Sequence, residues 1–203
     1  MIIINADDWG LSVEATESAA FLLQDGRITS VSAMVYMKDS ERAAKLAGPL
    51  GADVGLHLNL CESFTGANVP DRLSRDHEAL VEFLNRGKYA QLVYNPRLRS
   101  AFARVCEAQF AEFRRLYRSE PTHVDGHRHL HLCVNMLINP VIPRGTRVGR
   151  SFTFDRGEKG LLNRAYRSLV DRRLHSRYTL ADHFFSLEQC LAGKGRPLTR
   201  VAD

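Results

Sequence analysis

The chain opens with Met1-Ile-Ile-Ile-Asn-Ala-Asp-Asp-Trp-Gly-Leu-Ser12, an apolar run that stops at two acidic residues and a glycine. The apolar run predicts a short β-strand, and Ser12 is a suitable N-cap for a helix running to about Asp25. This stretch therefore predicts a strand–helix unit that carries an acidic pair, Asp7 and Asp8, at the carboxyl end of its strand.

Strand and helix patterns continue to alternate along the chain. The other predicted strands are Ile28–Met37, Asp53–Leu60, His123–His131 and Val148–Phe154. The other predicted helices are Ser40–Ala47, with Ser40 as its N-cap, Ser74–Asn85, Pro96–Tyr117 and Lys159–His175. This alternation predicts an α/β fold with parallel strands, either a barrel or an open doubly wound sheet. In both architectures functional residues lie at the carboxyl ends of strands. No repeat or linker interrupts the pattern, so we expect one domain over residues 1–203.

The composition is that of an ordinary globular protein, with 44% hydrophobic and 25% charged residues. We expect no signal peptide and no membrane span, because no apolar stretch approaches the roughly 20 residues that a span needs. The four cysteines are scattered, which predicts reduced thiols and a cytoplasmic location. From Arg144 onward 13 Lys and Arg face 6 Asp and Glu, but the arginines are dispersed, which favours a solvated helix surface over nucleic-acid binding.

The segment His123-Val-Asp-Gly-His-Arg-His-Leu-His131 holds four of the chain's eight histidines at alternate positions. As an extended strand it would present those histidines and Asp125 on one face. Such a face makes a poor core and a good metal site, whereas a solvent-exposed strand face would more usually carry Lys, Glu and Thr. The residues alone leave His127, His129 and His131 equivalent as ligands.

A second histidine lies in the alternating segment Asp53–Leu60, which places His57 and Asn59 on the face opposite its leucines. Together with the acidic pair and the histidine tract, this strand would bring a carboxylate and imidazoles to one edge of the sheet. Oxygen and nitrogen ligands of this kind suit Zn²⁺ or another divalent metal of the first transition row. The three segments together predict a metal site with open positions for water and substrate.

In order and rough spacing, the segments 5–12, 55–60 and 125–131 resemble the three signatures of the YdjC-like carbohydrate deacetylases. That family includes diacetylchitooligosaccharide deacetylases and proteins associated with hopanoid biosynthesis. The resemblance covers about the first 135 residues. It implies a TIM-barrel-like fold, one divalent metal ion (zinc or magnesium), and removal of an acetyl group from an N-acetylated sugar or glycolipid.

The resemblance also implies roles for individual residues. Asp8, His57 and His127 would hold the metal ion, and Asp7 would be the general base. Amide hydrolysis needs an activated water, a polarised carbonyl and a proton for the leaving amine. The metal would provide the first two, and Asp7 would accept the proton of the water.

Four further residues are expected around these ligands. His129 or His131 would supply the leaving-group proton or orient the ligands, so both are candidate catalytic residues. Asp125 and Asn59 would support the ligands by hydrogen bonds.

Two departures from the family pattern lead to expectations about the C-terminal end. Family members are usually longer and carry a late His-Pro-Gly segment, and this sequence contains no His-Pro. The chain is also shorter than the roughly 250 residues of a complete eightfold barrel. We therefore expect a barrel that is incomplete or open at its C-terminal end, a gap covered by a second copy in a homodimer, and low deacetylase activity.

Three alternatives remain open beside the carbohydrate deacetylase. The first is a weakly active or inactive module that binds metal or sugar. The second is an amidohydrolase, although the His-x-His of that class belongs on the first barrel strand. The third is a Mg²⁺-binding receiver domain, because an acidic pair also follows its first strand and Asp53 lies at a suitable distance. A receiver would, however, leave the histidines unexplained.

Overall fold

A parallel β-sheet flanked by helices forms the described part of the chain in the computed structural model, which covers residues 2–87, 89–153 and 160–185. The strands and helices are β1 (Asn5–Trp9), α1 (Val13–Gln24), β2 (Ser30–Ala33), α2 (Ser40–Ala47), β3 (Asp53–Leu58), α3 (Asp71–Leu84), α4 (Arg99–Tyr117), β4 (Val124–Gly126), α5 (Val134–Ile138) and α6 (Leu161–His175). Short 3-10 helices cover Ala90–Leu92, Pro96–Leu98 and His127–Leu132. The predicted α/β class with parallel strands is confirmed.

The strands follow one another in the order β1-β2-β3-β4, and every neighbouring pair is parallel. Beyond β4 the row continues through two isolated parallel bridges, Val124 with Val148 and Arg147 with Thr179. Over the residues that the structure describes, this row does not return to β1, so the sheet is open. The incomplete or open TIM-barrel-like fold and the second copy of the chain stay predictions.

The two faces of the sheet differ in polarity because side chains alternate along a strand. The face under the helices is apolar and fully buried, and it includes Val31, Ala33, Leu56, Leu58 and Val124. The opposite face is polar and carries Asn5, Ser30, Ser32, His57 and Asp125. Burying polar side chains without hydrogen bonds is costly, so this face holds a connected polar network and not a second core.

The helix of the N-terminal strand–helix unit begins after its predicted N-cap. Ser12 is the N-cap of α1 and its hydroxyl accepts a hydrogen bond from the backbone N–H of Ala15 at 3.2 Å. The predicted N-cap of α2 is wrong by one residue. Asp39 occupies that position, because the Ser40 hydroxyl instead donates to the carbonyl of Met34.

The first strand is shifted relative to its prediction. It spans Asn5–Trp9 and includes the acidic pair, whereas the apolar residues 2–4 are exposed. Strand pairing decides this boundary: β2 begins at Ser30, which pairs with Asn5, so earlier residues have no neighbour there. Asp8 adopts a left-handed backbone conformation with φ of 63°, and the register with β2 shifts at this point.

The prediction of one long histidine strand is wrong. β4 ends at Gly126, and residues 127–132 turn into a 3-10 helix with Arg128 and His129 in the left-handed region. The reason is again pairing, because β3 ends at Leu58, the partner of Gly126, and provides no further edge. The five alternate residues of the tract therefore do not share one face.

The C-terminal strand predicted at Val148–Phe154 is also shorter than expected. Val148 forms only an isolated bridge, and Phe154 lies outside the described residues. The predicted helix from Lys159 corresponds to α6, whose described span begins at Leu161. Among the described residues, every helix is too short or too polar to cross a lipid bilayer.

Candidate metal centre

Asp8, His57 and His127 meet at the carboxyl ends of their strands. The Oδ1 atom of Asp8 lies 2.8 Å from Nδ1 of His127 and 3.3 Å from Nε2 of His57. One ligand atom from each of the three residues lies within 4.8 Å of the other two. Two imidazole nitrogens and one carboxylate oxygen at this spacing fit a divalent ion such as Zn²⁺, with coordination positions left for other ligands.

A different local feature of the backbone brings each of the three residues to this point. His57 lies near the end of β3 with its side chain on the polar face and only 3% exposed. Asp8 reaches it through the irregular, left-handed turn of the chain at the end of β1. His127 is the first residue beyond β4, where the chain leaves the sheet. The left-handed conformations at Asp8, Arg128 and His129 are energetically unfavourable, and such strain is concentrated at functional sites.

Asp125 forms a hydrogen bond with His57. Its Oδ1 atom lies 2.7 Å from Nδ1 of His57, and the two residues are register partners on neighbouring strands. This contact occupies one ring nitrogen and leaves Nε2 directed towards Asp8. Carboxylates in this position fix the tautomer and orientation of metal-binding histidines.

A second set of ligand-capable atoms, from Asp7, His57 and Asp125, also lies within 4.8 Å of one another. We favour the set that contains Asp8, because both carboxylate oxygens of Asp125 are already engaged, one by His57 and the other by Ser32. Asp7 then lies beside the centre with one hydrogen bond from Asn5 and a side exposed to solvent.

The carboxylates and imidazoles of the cluster change one another's pKa. Partial burial, the charge of Asp125 and that of Asp8 raise the pKa of Asp7. Burial acts in the same direction on Asp8, but hydrogen bonds from His127 and His57 outweigh it and hold the pKa of Asp8 well below its ordinary value. Burial opposes a charge on His57, yet hydrogen bonds to Asp125 and Asp8 raise its pKa to about 10. A proton on His57 therefore balances the acidic residues when no ion is bound.

Asn59 does not support the ligands in the predicted way. It is fully buried at the end of β3, and its side chain caps the next turn by accepting from the backbone N–H of Glu62 and donating to the carbonyl of that residue. Its own backbone groups bond to the side chain of Gln109 on α4. Asn59 thus anchors the loop after β3 to α4.

His129 and His131, predicted as catalytic candidates, lie in different surroundings. The His129 ring packs edge-on against Phe152 and Phe184, with centroid distances of 4.5 and 5.8 Å, and burial lowers its pKa. His131 is buried, and its Nε2 donates to the carbonyl of Gly149 at 2.9 Å. Burial lowers the pKa of His131 to about 4. The ring of His131 is therefore neutral at pH 7, and this geometry favours a structural role.

Replacing His131 with Ala should destabilise the fold and spare metal binding. The change removes a buried hydrogen bond to Gly149 and leaves a cavity, so we expect a loss of about 2–3 kcal/mol in the free energy of unfolding. Urea unfolding and zinc titration of the same samples would measure both effects. Loss of zinc binding from a variant that is still folded would contradict the structural role.

Sequence reasoning missed Asn5 and Ser32, which connect the acidic residues below the centre. Asn5 Nδ2 donates to Asp7 Oδ1 at 2.8 Å and to Ser32 Oγ at 2.9 Å, and Ser32 donates to Asp125 Oδ2 at 2.8 Å. The signal that could have found them is the alternation in Ser30-Val-Ser-Ala33. It places two serines on the same face of the sheet as His57.

Several arginines of the C-terminal half line a cavity in the described part of the chain. A cavity of about 880 Å³ between residues 150–153 and α6 is lined by arginines of that helix. Arg150 is engaged there in a salt bridge with Asp171, and Phe152, which also lines the cavity, contacts His129. The cavity therefore adjoins the candidate centre without contributing ligands to it.

The receiver-domain alternative is not supported by the topology. A receiver needs its phosphoacceptor aspartate at the same strand ends as its acidic pair. Asp53 is the first residue of β3, at the opposite end of the strand from His57 and the acidic pair.

Comparisons with known proteins identify a matching family and similar curated proteins. Residues 1–194 match the family model described as YdjC-like protein. A carbohydrate deacetylase of Mus musculus is 32% identical over 136 residues, which are 64% of this chain and 43% of that protein. A chitooligosaccharide deacetylase of Serratia marcescens is 32% identical over 133 residues, which are 65% of this chain and 51% of that protein. The chain thus matches about half the length of these curated relatives.

One solved structure is similar in fold. It is a proposed cellobiose-phosphate cleavage protein from Enterococcus faecalis V583, with a TM-score of 0.56 and 18% sequence identity. The match covers 91% of this chain and 81% of that one. At this identity the likeness concerns the fold alone.

Proposed function

The chain belongs to the YdjC-like protein family, and from this premise we propose that it is a metal-dependent deacetylase of N-acetylated sugars. The observation that carries the proposal is the convergence of Asp8, His57 and His127, with Asp7 beside them. The names of the relatives support the substrate class, because they describe deacetylases of carbohydrates and chitooligosaccharides.

In this proposal Asp8, His57 and His127 hold one divalent ion, for which the donor set favours zinc over magnesium. When bound, the ion supplies Lewis-acid chemistry that polarises the acetyl carbonyl and makes the attacking water more acidic. Asp125 keeps the His57 ring in the tautomer and orientation that coordination needs, through its 2.7 Å hydrogen bond.

Asp7 is the residue best suited to move the proton. It neighbours the ligand Asp8, and its hydrogen bond from Asn5 holds the carboxylate in place. The raised pKa brings it closer to the range in which a carboxylate accepts and returns a proton efficiently. In the proposed reaction Asp7 takes a proton from water and delivers it to the leaving amine, so that amide and water become amine and acetate.

His129 has a different part in this proposal. Because burial lowers its pKa, the ring is neutral at pH 7 and is a poor proton donor to the amine. Its place beside the aromatic rings of Phe152 and Phe184 suits contact with the sugar. His131 has no catalytic part.

The direct test is acetate release from N-acetylglucosamine oligomers by the purified chain supplied with Zn²⁺ or, separately, Mg²⁺. We expect acetate and free amine in equal amounts, and none after treatment with a chelator. Stoichiometric zinc binding without any acetate release would instead favour the non-catalytic metal- or sugar-binding module.

Zinc affinity should rise steeply with pH. The metal-free centre carries a proton on His57, whose pKa is about 10, and the ion must displace that proton. Below this pKa, each unit of pH should raise the apparent affinity about tenfold, or roughly a hundredfold between pH 6 and pH 8. Competition with a chromophoric chelator, corrected for the chelator's own protonation, measures this. An affinity that stays constant over the range would contradict the ligand role of His57.

The reduced state of the cysteines supports the predicted cytoplasmic location. Cys61, Cys106 and Cys133 are buried free thiols in the described part of the chain, and Cys190 lies outside it. Burial raises the pKa of each of the three thiols, which makes them unreactive. Three buried thiols of this kind are typical of proteins kept in a reducing compartment.

A further inference from the structure

The hydroxyl of Ser32 has three hydrogen-bond partners, which use its full bonding capacity. Its Oγ lies 2.9 Å from Nδ2 of Asn5, 3.0 Å from Nε2 of His123 and 2.8 Å from Oδ2 of Asp125. A hydroxyl donates one hydrogen bond and accepts two. The Asn5 amide can only donate at this nitrogen and the carboxylate of Asp125 can only accept, so the proton of Ser32 points to Asp125.

His123 completes this arrangement as a donor. Burial lowers its pKa, so the ring is neutral at pH 7 and has one N–H. With that proton on Nε2 the ring donates to Ser32. Gly55 makes room for the ring, because a Cβ atom there would lie 2.3 Å from Nε2 of His123. The close approach of His123 to Ser32 therefore depends on glycine at this position.

Asn5 joins the same network to the proposed base. The Ser30 hydroxyl donates to its carbonyl oxygen at 2.8 Å, and this contact together with Asp7 fixes which side of the amide carries the nitrogen. Flipping the amide would turn its oxygen towards the carboxylate of Asp7. The two N–H groups of one amide thus hold Asp7 on one side and Ser32 on the other.

We propose that Ser32 is a positioning residue that sets the metal affinity of the centre by holding Asp125 against His57. The inference rests on the proposed metal centre. Asp125 binds His57 through Oδ1 and Ser32 through Oδ2, so loss of the Ser32 hydroxyl frees the carboxylate to rotate. The His57 ring then loses the contact that directs its Nε2 to the ion. Supporting contacts of this kind typically change metal affinity by about 10–100-fold.

The test compares Ser32→Ala with Ser40→Ala, a control at another buried serine whose hydroxyl is also hydrogen-bonded. Ser32 is fully buried and Ser40 is 3% exposed, but Ser40 bonds to the backbone of Met34 and Met37 and not to the network around Asp125. Zinc affinity is measured by chelator competition, the coordination by the visible absorption of the Co²⁺-loaded proteins, and the fold by thermal unfolding. We expect Ser32→Ala to weaken zinc binding about 10–100-fold and to change the cobalt spectrum, and Ser40→Ala to stay within about threefold of the unmodified chain in zinc affinity.

A double-mutant cycle with Asp125→Asn shows whether Ser32 acts through Asp125. If it does, adding Ser32→Ala to Asp125→Asn costs little further zinc affinity, so the two effects are not additive. Equal losses in the two serine variants, or additive losses in the cycle, would overturn the proposal while leaving the metal centre intact. If the unmodified chain binds neither Zn²⁺ nor Co²⁺, the metal centre itself is refuted.

Discussion

Replacing His57 with Ala should abolish stoichiometric zinc binding and, with it, any acetate release. His57 is the most buried of the three proposed ligands and the only one that contacts both Asp8 and Asp125. Its removal takes away one ligand and leaves Oδ1 of Asp125 without a partner, while Oδ2 keeps its hydrogen bond from Ser32. An unsatisfied group of this kind destabilises a fold by about 1–3 kcal/mol. Metal content after dialysis and circular dichroism would be measured together.

A second variant separates loss of metal from loss of fold. His57→Gln keeps an amide that can donate to Asp125 but removes the imidazole nitrogen. We expect this variant to remain folded and to bind less than a tenth of an equivalent of zinc under conditions that saturate the unmodified chain. The exposed His175, on α6, provides a control whose replacement by Ala should change nothing. Full metal content in a folded His57→Gln protein would refute the proposed site.

The acidic pair should separate into a base and a ligand. Asp7→Asn keeps a group that can accept from Asn5 and leaves the three ligands in place, so zinc binding should persist. Because the amide cannot accept the proton of the water, kcat should fall by about 10² or more with little change in KM. Kinetics on N-acetylglucosamine oligomers, with zinc content measured on the same samples, provide both numbers.

Asp8→Asn is the matched comparison. It converts the carboxylate that contacts His127 and His57 into a neutral amide, so zinc affinity itself should fall. Equal zinc loss in the two variants would mean that Asp7 is also a ligand, as in the second set formed with His57 and Asp125. The proposed division between proton transfer and coordination would then be wrong.

Much of the site could be predicted from short sequence segments. The Asp7–Asp8 pair, His57 and the tract from His123 were each recognised from a local pattern, and the resemblance selected His127 among three equivalent histidines. The structure brings Asp8, His57 and His127 together. His127 joins the other two because the left-handed backbone at Arg128 and His129 turns the later histidines away from the strand.

The parts that failed depend on contacts between distant segments. A nine-residue strand was predicted from His123 because alternation is a local property, but a strand continues only where a neighbour offers hydrogen bonds, and β3 ends at Leu58. For the same reason β1 spans Asn5–Trp9, because its pairing with β2 begins at Asn5. Sequence alone also did not reveal the partners of His131 and Asn59, which are Gly149 and Gln109.

The sequence by itself determined the α/β class, the order of its elements and the residue types available for a metal, because periodicity and side-chain chemistry are local. Only the tertiary structure decided which of those residues meet. The bend at Asp8, the end of β4 at Gly126 and the network through Ser32 each depend on how neighbouring strands pair. Donor distances of about 3 Å follow from register between segments as far apart as residues 8 and 127, and no local pattern specifies that register.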